Sequence, residues 1–282
     1  KGDIRDQVFL ESIFKEVYSL NNYFHAVIHL AGLKSVRESI LKPKRYWDVN
    51  LNGSINLVNV MKKFNCYSIV FSSSATVYGI ADKELLDENS IIKPCNVYGE
   101  TKARIEKLLL NLCLENNNWR VCNLRYFNPA GAHYSGLIGE ATCNNPNNLF
   151  PYLNLVAIGK KKFLRIYGND WNTRDGTAIR DYLHVDDLAY GHLLIMQHIL
   201  SDKFKIKNIN IGTGKGTTVL ELINTYQKVN NCEIPFEFVS RREGDVESLI
   251  ADNQLLKKTL NWIPSKSLES MCLDSLNWQK NS

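Results

Sequence analysis

The chain has 282 residues, 44% of them apolar, and a formal charge of +5 with a sequence pI near 8.7. That length buries a core for one large domain or two modest ones, and its interspersed acids and bases, with no run of five like charges, exclude a nucleic-acid tail. No apolar run nears the roughly 18 residues of a membrane span, no signal peptide opens the chain, and seven scattered cysteines without a Cys-x-x-Cys spacing suggest neither disulfides nor a metal site, so a cytoplasmic protein with no membrane partner is expected.

Lys1–Asp6 reads as the end of a strand passing into a loop, and Val8, Ile13, Val17 and Leu20 give residues 7–20 the pattern of an amphipathic helix. Ala26–Gly32 is an apolar, β-rich run ending in small residues, as a buried parallel strand does where it meets a ligand-facing loop; His29 inside it reads as a packed histidine. Helical spacing resumes over 51–64 and the strand Ser68–Phe71 follows, running into Ser72-Ser-Ser-Ala-Thr-Val-Tyr78. Pro94 marks a loop before a helix from Tyr98, whose Ile105, Leu108, Leu109 and Leu112 form an apolar stripe. The strand Arg120–Leu124 then ends in Arg125-Tyr-Phe-Asn-Pro-Ala-Gly-Ala132. This rhythm predicts a Rossmann-type α/β fold, a doubly wound parallel sheet with helices on both faces. Ligands of such sheets bind at the carboxyl ends of the strands, where Asp3, Leu30–Lys34, Ser72–Thr76 and Tyr126–Asn128 all fall.

After Gly131 the rhythm lapses into stretches rich in Asn, Asp, Gly and Thr, such as 144–148 and 168–178. Lys160–Lys162, the densest basic spot, reads as a solvated turn after Gly159. A smaller substrate domain is expected over 128–282 beside a nucleotide-binding domain over 1–127, with segments near 182–212 returning to the first sheet. Within it Leu164–Tyr167 is a short strand, 186–199 a helix and Asn208–Gly216 a strand and turn, while Thr218-Val-Leu-Glu221 opens a helix with a capping-box pattern.

The chemistry concentrates at Tyr98 and Lys102. Four residues apart on a helix they share a face, so the ammonium can reach the phenol oxygen and lower its pKa from about 10. A hydroxyl from Ser74 or Thr76 could hand a substrate proton on, and the set then suits proton removal from an alcohol while a hydride leaves the same carbon. Thirteen tyrosines and 34 basic residues produce such a spacing about once or twice by chance, and the serine-rich strand end is what lifts this one above coincidence. A dehydrogenase sheet should also carry a glycine-rich pyrophosphate loop after its first strand. No such loop stands near Lys1. Gly212-Thr-Gly-Lys-Gly216 has the wrong spacing and place and reads as a structural turn, so roughly fifty residues carrying the first βαβ unit are expected ahead of Lys1 in the intact protein.

Gly2-Asp-Ile-Arg5, His29–Lys34, Ser72–Gly79, Tyr98–Lys102, Leu124–His133, Pro146–Leu149, Asp175–Val185 and Arg241–Asp245 occur in the order found in the extended short-chain dehydrogenase/reductase superfamily, and specifically resemble its UDP-glucose 4-epimerases from Gly2 to Trp278. The resemblance implies NAD as a recycled cofactor, UDP-hexoses as substrate and interconversion of UDP-galactose and UDP-glucose through a 4-keto sugar. It implies Tyr98 as proton acceptor, Lys102 lowering its pKa and holding the nicotinamide ribose, and Ser74 bridging to the sugar hydroxyl. Asp3 and Ile4 would lie at the adenine, and Leu30, Ala31, Gly32, Leu33, Lys34, Asn50 and Phe127 along the rest of NAD. Thr76, Asn128, Asn148, Tyr167, Arg180, Arg242 and Asp245 would bind substrate, with both arginines on the diphosphate, Tyr167 near the uracil and Asp245 on a ribose hydroxyl. Helices 51–64 and 98–114 would pair across a homodimer.

This sequence departs from the family at Leu30, a position often aromatic, and at Leu249, often Tyr or a smaller residue, which leaves acceptance of N-acetylhexosamines open. A nucleotide-sugar 4,6-dehydratase of the same superfamily needs an Asp-Glu pair after the serine strand, where this chain has Ala75 and Thr76. A non-catalytic sugar-nucleotide-binding remnant is the alternative from another class, motivated by the missing glycine loop.

Overall fold

A computed structural model of the chain describes all residues except 81–82, 142–145, 147, 202–204 and 243. Cys143, three asparagines of the 144–148 stretch and Glu243 therefore lie outside the described residues. The chain forms two compact units, one of residues 1–80, 90–126 and 192–209, the other of 81–89, 127–191 and 210–282.

In chain order the first elements are α1 (Gln7–Ser19), β1 (Val27–His29), α2 (Val36–Leu41), α3 (Pro43–Tyr46), a π-helical turn (Trp47–Asn52), α4 (Gly53–Lys63), β2 (Ser68–Ser74), a 3-10 turn (Ala75–Val77) and β3 (Leu85–Leu86). They are followed by α5 (Val97–Glu115), β4 (Arg120–Tyr126), β5 (Asn128–Ala130), α6 (Leu149–Ala157), β6 (Leu164–Tyr167), β7 (Ile179–Arg180) and β8 (Tyr182–His184). The last are α7 (Val185–Leu200), β9 (Ile206–Ile211), β10 (Thr217–Thr218), α8 (Val219–Asn230), β11 (Phe236–Val239), β12 (Ser248–Ala251), α9 (Gln254–Leu260) and α10 (Leu268–Asn281).

A four-stranded sheet in the order β1-β2-β4-β9 organises the first unit, with β1 and β4 both parallel to β2. Register pairs His29 with Phe71 and Ser74 with Tyr126, which sets the carboxyl ends of three strands side by side. Its apolar cluster includes Phe14, Val60, Met61, Ile69, Phe71, Ile105, Leu109, Trp119 and Val121, and each such side chain contributes roughly 1.5–3 kcal/mol by leaving water. Helix starts follow side-chain chemistry: Asp6 accepts from Phe9 N–H and Asn96 from Gly99 N–H, both at 2.9 Å, satisfying amides the helix cannot.

The helix expected over 51–64 differs in one respect, since a π-turn precedes α4 and adds a residue to the turn. Continuous apolar spacing hid it. Its effect is to turn Asn50 into the interior, where it is 2% exposed. The strand expected over 68–71 runs on through all three serines.

The second unit contains a sheet ordered β10-β7-β12-β3 and the pairs β11-β6 and β5-β8. A second apolar cluster, including Phe150, Leu153, Ile166, Leu222, Ile223, Tyr226, Met271 and Leu276, fills it. The expected capping box is present at Thr218 and Glu221. The turn 212–216 is structural, because Thr213 and Gly214 N–H groups donate to the buried Asp181 carboxylate at 2.8 and 2.9 Å, joined by Thr213 Oγ1 at 2.6 Å and Ala251 N–H at 3.2 Å. Positive φ at Gly214 lets the backbone fold over that carboxylate.

Candidate functional site

In the first unit the site is built where α5 crosses the end of β2. Asn96 fixes the first turn of α5, and Gly99 lets it come close, because a Cβ there would stand 2.6 Å from the Thr76 carbonyl oxygen. Tyr98 and Lys102 are thereby carried inside, 9% and 5% exposed. The Tyr98 hydroxyl is hydrogen-bonded with the Ser74 side chain. Ser74 Oγ in turn accepts from Thr76 N–H at 3.2 Å and Thr76 Oγ1–H at 2.9 Å, which leaves its own proton to be directed at the phenol or at a ligand.

Lys102 differs from the expectation. Its ammonium donates to the Ser72 carbonyl oxygen at 2.6 Å and lies 4.8 Å from the Phe71 ring centre and 5.7 Å from that of Tyr98. The phenol accordingly sits above its ordinary value: burial raises it, and the bond to Ser74 only opposes that. Burial also lowers the Lys102 amine to about 8, against the support of the Glu106 carboxylate. His29 is buried and neutral, lowered to about 3 by burial and then by the charge of Lys102, and it bonds Ser54 Oγ at 2.8 Å, consistent with a packed histidine.

Further polar contacts at the site were not foreseen from the sequence, although Tyr126 itself was placed at a strand end. Tyr126, at the end of β4, is hydrogen-bonded to the Ser72 side chain and to His192 Nε2 at 2.5 Å. Glu106 and Arg125 form a buried ion pair at 2.7 Å beneath the serines. Only the recurrence of a polar residue at the next four-residue step of α5 hinted at Glu106.

The loop after β1 is held by Asn50, whose Oδ1 accepts from Leu33 N–H at 2.7 Å and whose Nδ2 donates to Leu33 O and Thr101 Oγ1, each at 3.1 Å. Thr101 bonds the Tyr98 carbonyl at 2.7 Å, so one asparagine links the loop to the helix of the phenol. Leu30, Ala31, Gly32 and Lys34 are exposed on that loop, and Leu33 is half-buried. Asp3, Ile4, Leu30 and Ala31 meet in a cavity of about 250 Å³ lined also by Phe9, Leu10, Val27 and Leu57. An apolar cleft with a carboxylate at its rim suits the flat base and ribose hydroxyls of a dinucleotide. Asp3 is held well down, to about 2, by hydrogen bonds from Arg5, which also bridges to Asp48 at 2.8 Å. Three ammonium donors on Lys102, one given to Ser72, likewise fit a ribose.

The second unit holds its own cluster. Arg242 stacks 4.4 Å from the Tyr167 ring centre and bonds Asp245 at 3.0 Å. Arg180 donates to the Ile179 carbonyl oxygen at 2.7 Å; burial lowers it, and among nearby charges Asp245 supports its cation while Arg242 opposes it. Two guanidiniums that repel each other make a place for an anion. Leu249 is buried on β12, in register with Arg180. Asn128 pairs with Tyr182 in β5-β8, and Phe127 is buried beside it in sequence. Asn148 stands apart from Arg180 and Arg242 in its bonding: it is exposed before α6 and donates to Glu140 at 3.1 Å.

Several known proteins resemble this chain. A family model described as GDP-mannose 4,6 dehydratase matches residues 1–275. The UDP-glucose 4-epimerase of Bacillus subtilis (strain 168) is 43% identical over 282 residues, covering 100% of this chain and 81% of its own length. That of Homo sapiens is 45% identical over 281 residues, covering 99% and 79%. Among solved structures, UDP-glucose 4-epimerase from Bifidobacterium longum in complex with NAD+ and UDP superposes with a TM-score of 0.94 at 42% identity, covering 100% of this chain and 82% of the other.

Proposed function

The chain belongs to the UDP-glucose 4-epimerase family of extended short-chain dehydrogenases/reductases, and from that premise we propose that Tyr98, Lys102 and Ser74 carry an NAD-dependent 4-epimerisation of UDP-hexoses, UDP-galactose to and from UDP-glucose. The observation that carries this reading is a buried phenol bonded to Ser74 on the same helix face as a buried lysine. Bound NAD supplies the hydride acceptor and donor at the sugar 4-carbon. Ser74 orients the 4-hydroxyl, and Tyr98 takes its proton when the 4-keto sugar forms and returns it when the other epimer is made. One group serves as base and then as acid, so a phenol that is not strongly acidic suits both halves of the cycle.

Asp3, Ile4, Leu30, Ala31, Gly32, Leu33, Lys34 and Asn50, with Phe127, are proposed to hold NAD, supported by the cavity at Asp3 and the clamp at Leu33. Arg180 and Arg242 are proposed for the diphosphate, Tyr167 for uracil, Asp245 for a ribose hydroxyl, and Thr76, Asn128 and Asn148 for further substrate contacts. Leu249 would line the sugar pocket. We also propose a cytoplasmic homodimer. Leu110 and Leu114, 42% and 73% exposed on α5, support the dimer, and a monomer by light scattering would refute it.

The name of the matching family model raises dehydration as a second reading, but Ala75 and Thr76 offer no acid or base after the serine strand. Incubation of the intact protein, with its expected N-terminal glycine loop, with UDP-galactose tests both. UDP-glucose without net NADH consumption is expected; a 4-keto-6-deoxy product, or no turnover, would overturn the proposal.

A further inference from the structure

Tyr98, Lys102 and Glu106 stand at four-residue steps on α5, and Glu106 is 8% exposed. Its carboxylate accepts from Ser73 Oγ–H at 2.5 Å, from Arg125 Nε–H at 3.0 Å and from Arg125 Nη2–H at 2.7 Å. Arg125 Nη1 also donates to Tyr78 Oη at 2.9 Å. Ser73 is the residue between the two serines that touch the site: Ser72 receives the Lys102 ammonium on its carbonyl, and Ser74 bonds Tyr98. The carboxylate therefore grips β2 between those two contacts.

We propose that Glu106 is a positioning residue for Tyr98, Lys102 and Ser74, tying the end of β2 to α5 through Ser73 while placing a carboxylate one helical turn from Lys102. This rests on the epimerase reading for what the three residues do. The groups facing Lys102 are Glu106 and Tyr98 on its own helix, His29 from β1, and the Phe71 ring and Ser72 carbonyl from β2. His29 is neutral, so Glu106 is the anion among these, and burial works against it. Arg125, itself bonded to Tyr78 Oη, holds the carboxylate from behind.

The two roles separate by substitution. Glu106→Gln keeps a hydrogen-bonding side chain of similar size and removes the charge; Ser73→Ala removes the grip and keeps the charge. Should Glu106→Gln fail to fold because Arg125 loses its partner, Glu106→Gln with Arg125→Met leaves no buried unpaired cation. Protein labelled with ¹³C at the lysine ε-carbon is titrated by NMR, and the Lys102 signal is identified by its loss in Lys102→Met. The Lys102 midpoint is expected to fall by about one pH unit in the Glu106 variants and to stay in place in Ser73→Ala. The alkaline limb of kcat for UDP-galactose should move down with it in the Glu106 variants, whereas Ser73→Ala should lower kcat about tenfold with KM nearly unchanged. An unmoved Lys102 midpoint, or an unaltered kcat in Ser73→Ala, would overturn the proposal. Midpoints that move as expected in a protein without turnover would strike the epimerase reading instead.

Discussion

The Lys102 ammonium is bound to the Ser72 carbonyl oxygen at 2.6 Å, so the helix that carries Tyr98 is joined to the strand that carries Ser74 two residues short of Ser74 itself. A buried cation at that point has a consequence for stability. Burial brings its amine to about 8, while the unfolded chain keeps the proton to the ordinary lysine range near 10.4. Between those values the unfolded state binds more protons, so the contribution of Lys102 to stability rises with pH; it is fully present above the unfolded value and lost as pH falls through about 8. The whole rise is capped at about 3 kcal/mol. The raised phenols of Tyr98 and Tyr126 act oppositely above about pH 10, where the unfolded chain releases those protons first. Urea unfolding at pH 8 and 9.5 should show the rise in the native chain and lose it in Lys102→Met; parallel pH dependences in the two would contradict the burial argument.

Tyr98→Phe removes the proton carrier and leaves the ring. Turnover of UDP-galactose is expected to fall about a hundred- to ten-thousandfold, with the circular dichroism spectrum retained. A variant within threefold of the native rate would remove Tyr98 from the mechanism.

Asn50→Ala cuts the bonds to Leu33 and Thr101 at once. The half-buried Leu33 amide then lacks its acceptor, and a loss of about 1–3 kcal/mol in stability is expected, with weaker NAD binding. Calorimetric titration with NAD would detect it; unaltered affinity would place the loop outside the cofactor site.

Asp181→Asn sets an amide against four donors that now converge on a carboxylate. Destabilisation of about 3 kcal/mol is expected from the mismatched bonds, read as a lower urea midpoint. An unchanged midpoint would mean that the 212–216 turn holds its shape without the anion.

Arg180→Ala should weaken UDP binding by about 2–3 kcal/mol, some thirty- to a hundred-and-fiftyfold, if its guanidinium meets the diphosphate. Equal affinity of variant and native chain for UDP would assign Arg180 to structure alone.

The strand and helix rhythm of the first unit was legible because apolar spacing is local, and the shared face of Tyr98 and Lys102 was legible because a helix repeats every 3.6 residues. The direction of the Lys102 ammonium was not, since it depends on which carbonyl of β2 lies opposite once the strand is paired. The π-turn at Asn50 left the apolar pattern unbroken. Nothing in the sequence assigned Asp181 a partner, and only the folded turn of 212–216 shows that its carboxylate is spent on backbone amides. Leu85 and Leu86 leave their sequence neighbours to join the second unit, a long-range pairing of β3 with β12 that no local pattern encodes.

Because Tyr98, Lys102 and Glu106 hang from one helix at equal steps, what α5 stores is a phase angle. Loss of a single residue between 98 and 106 would rotate everything after it by about 100° and carry Glu106 away from Ser73 and Arg125 while the Asn96 cap stayed in place. The stretch should therefore forgive altered spelling more readily than altered length, and in-frame deletions there should be more damaging than any one substitution.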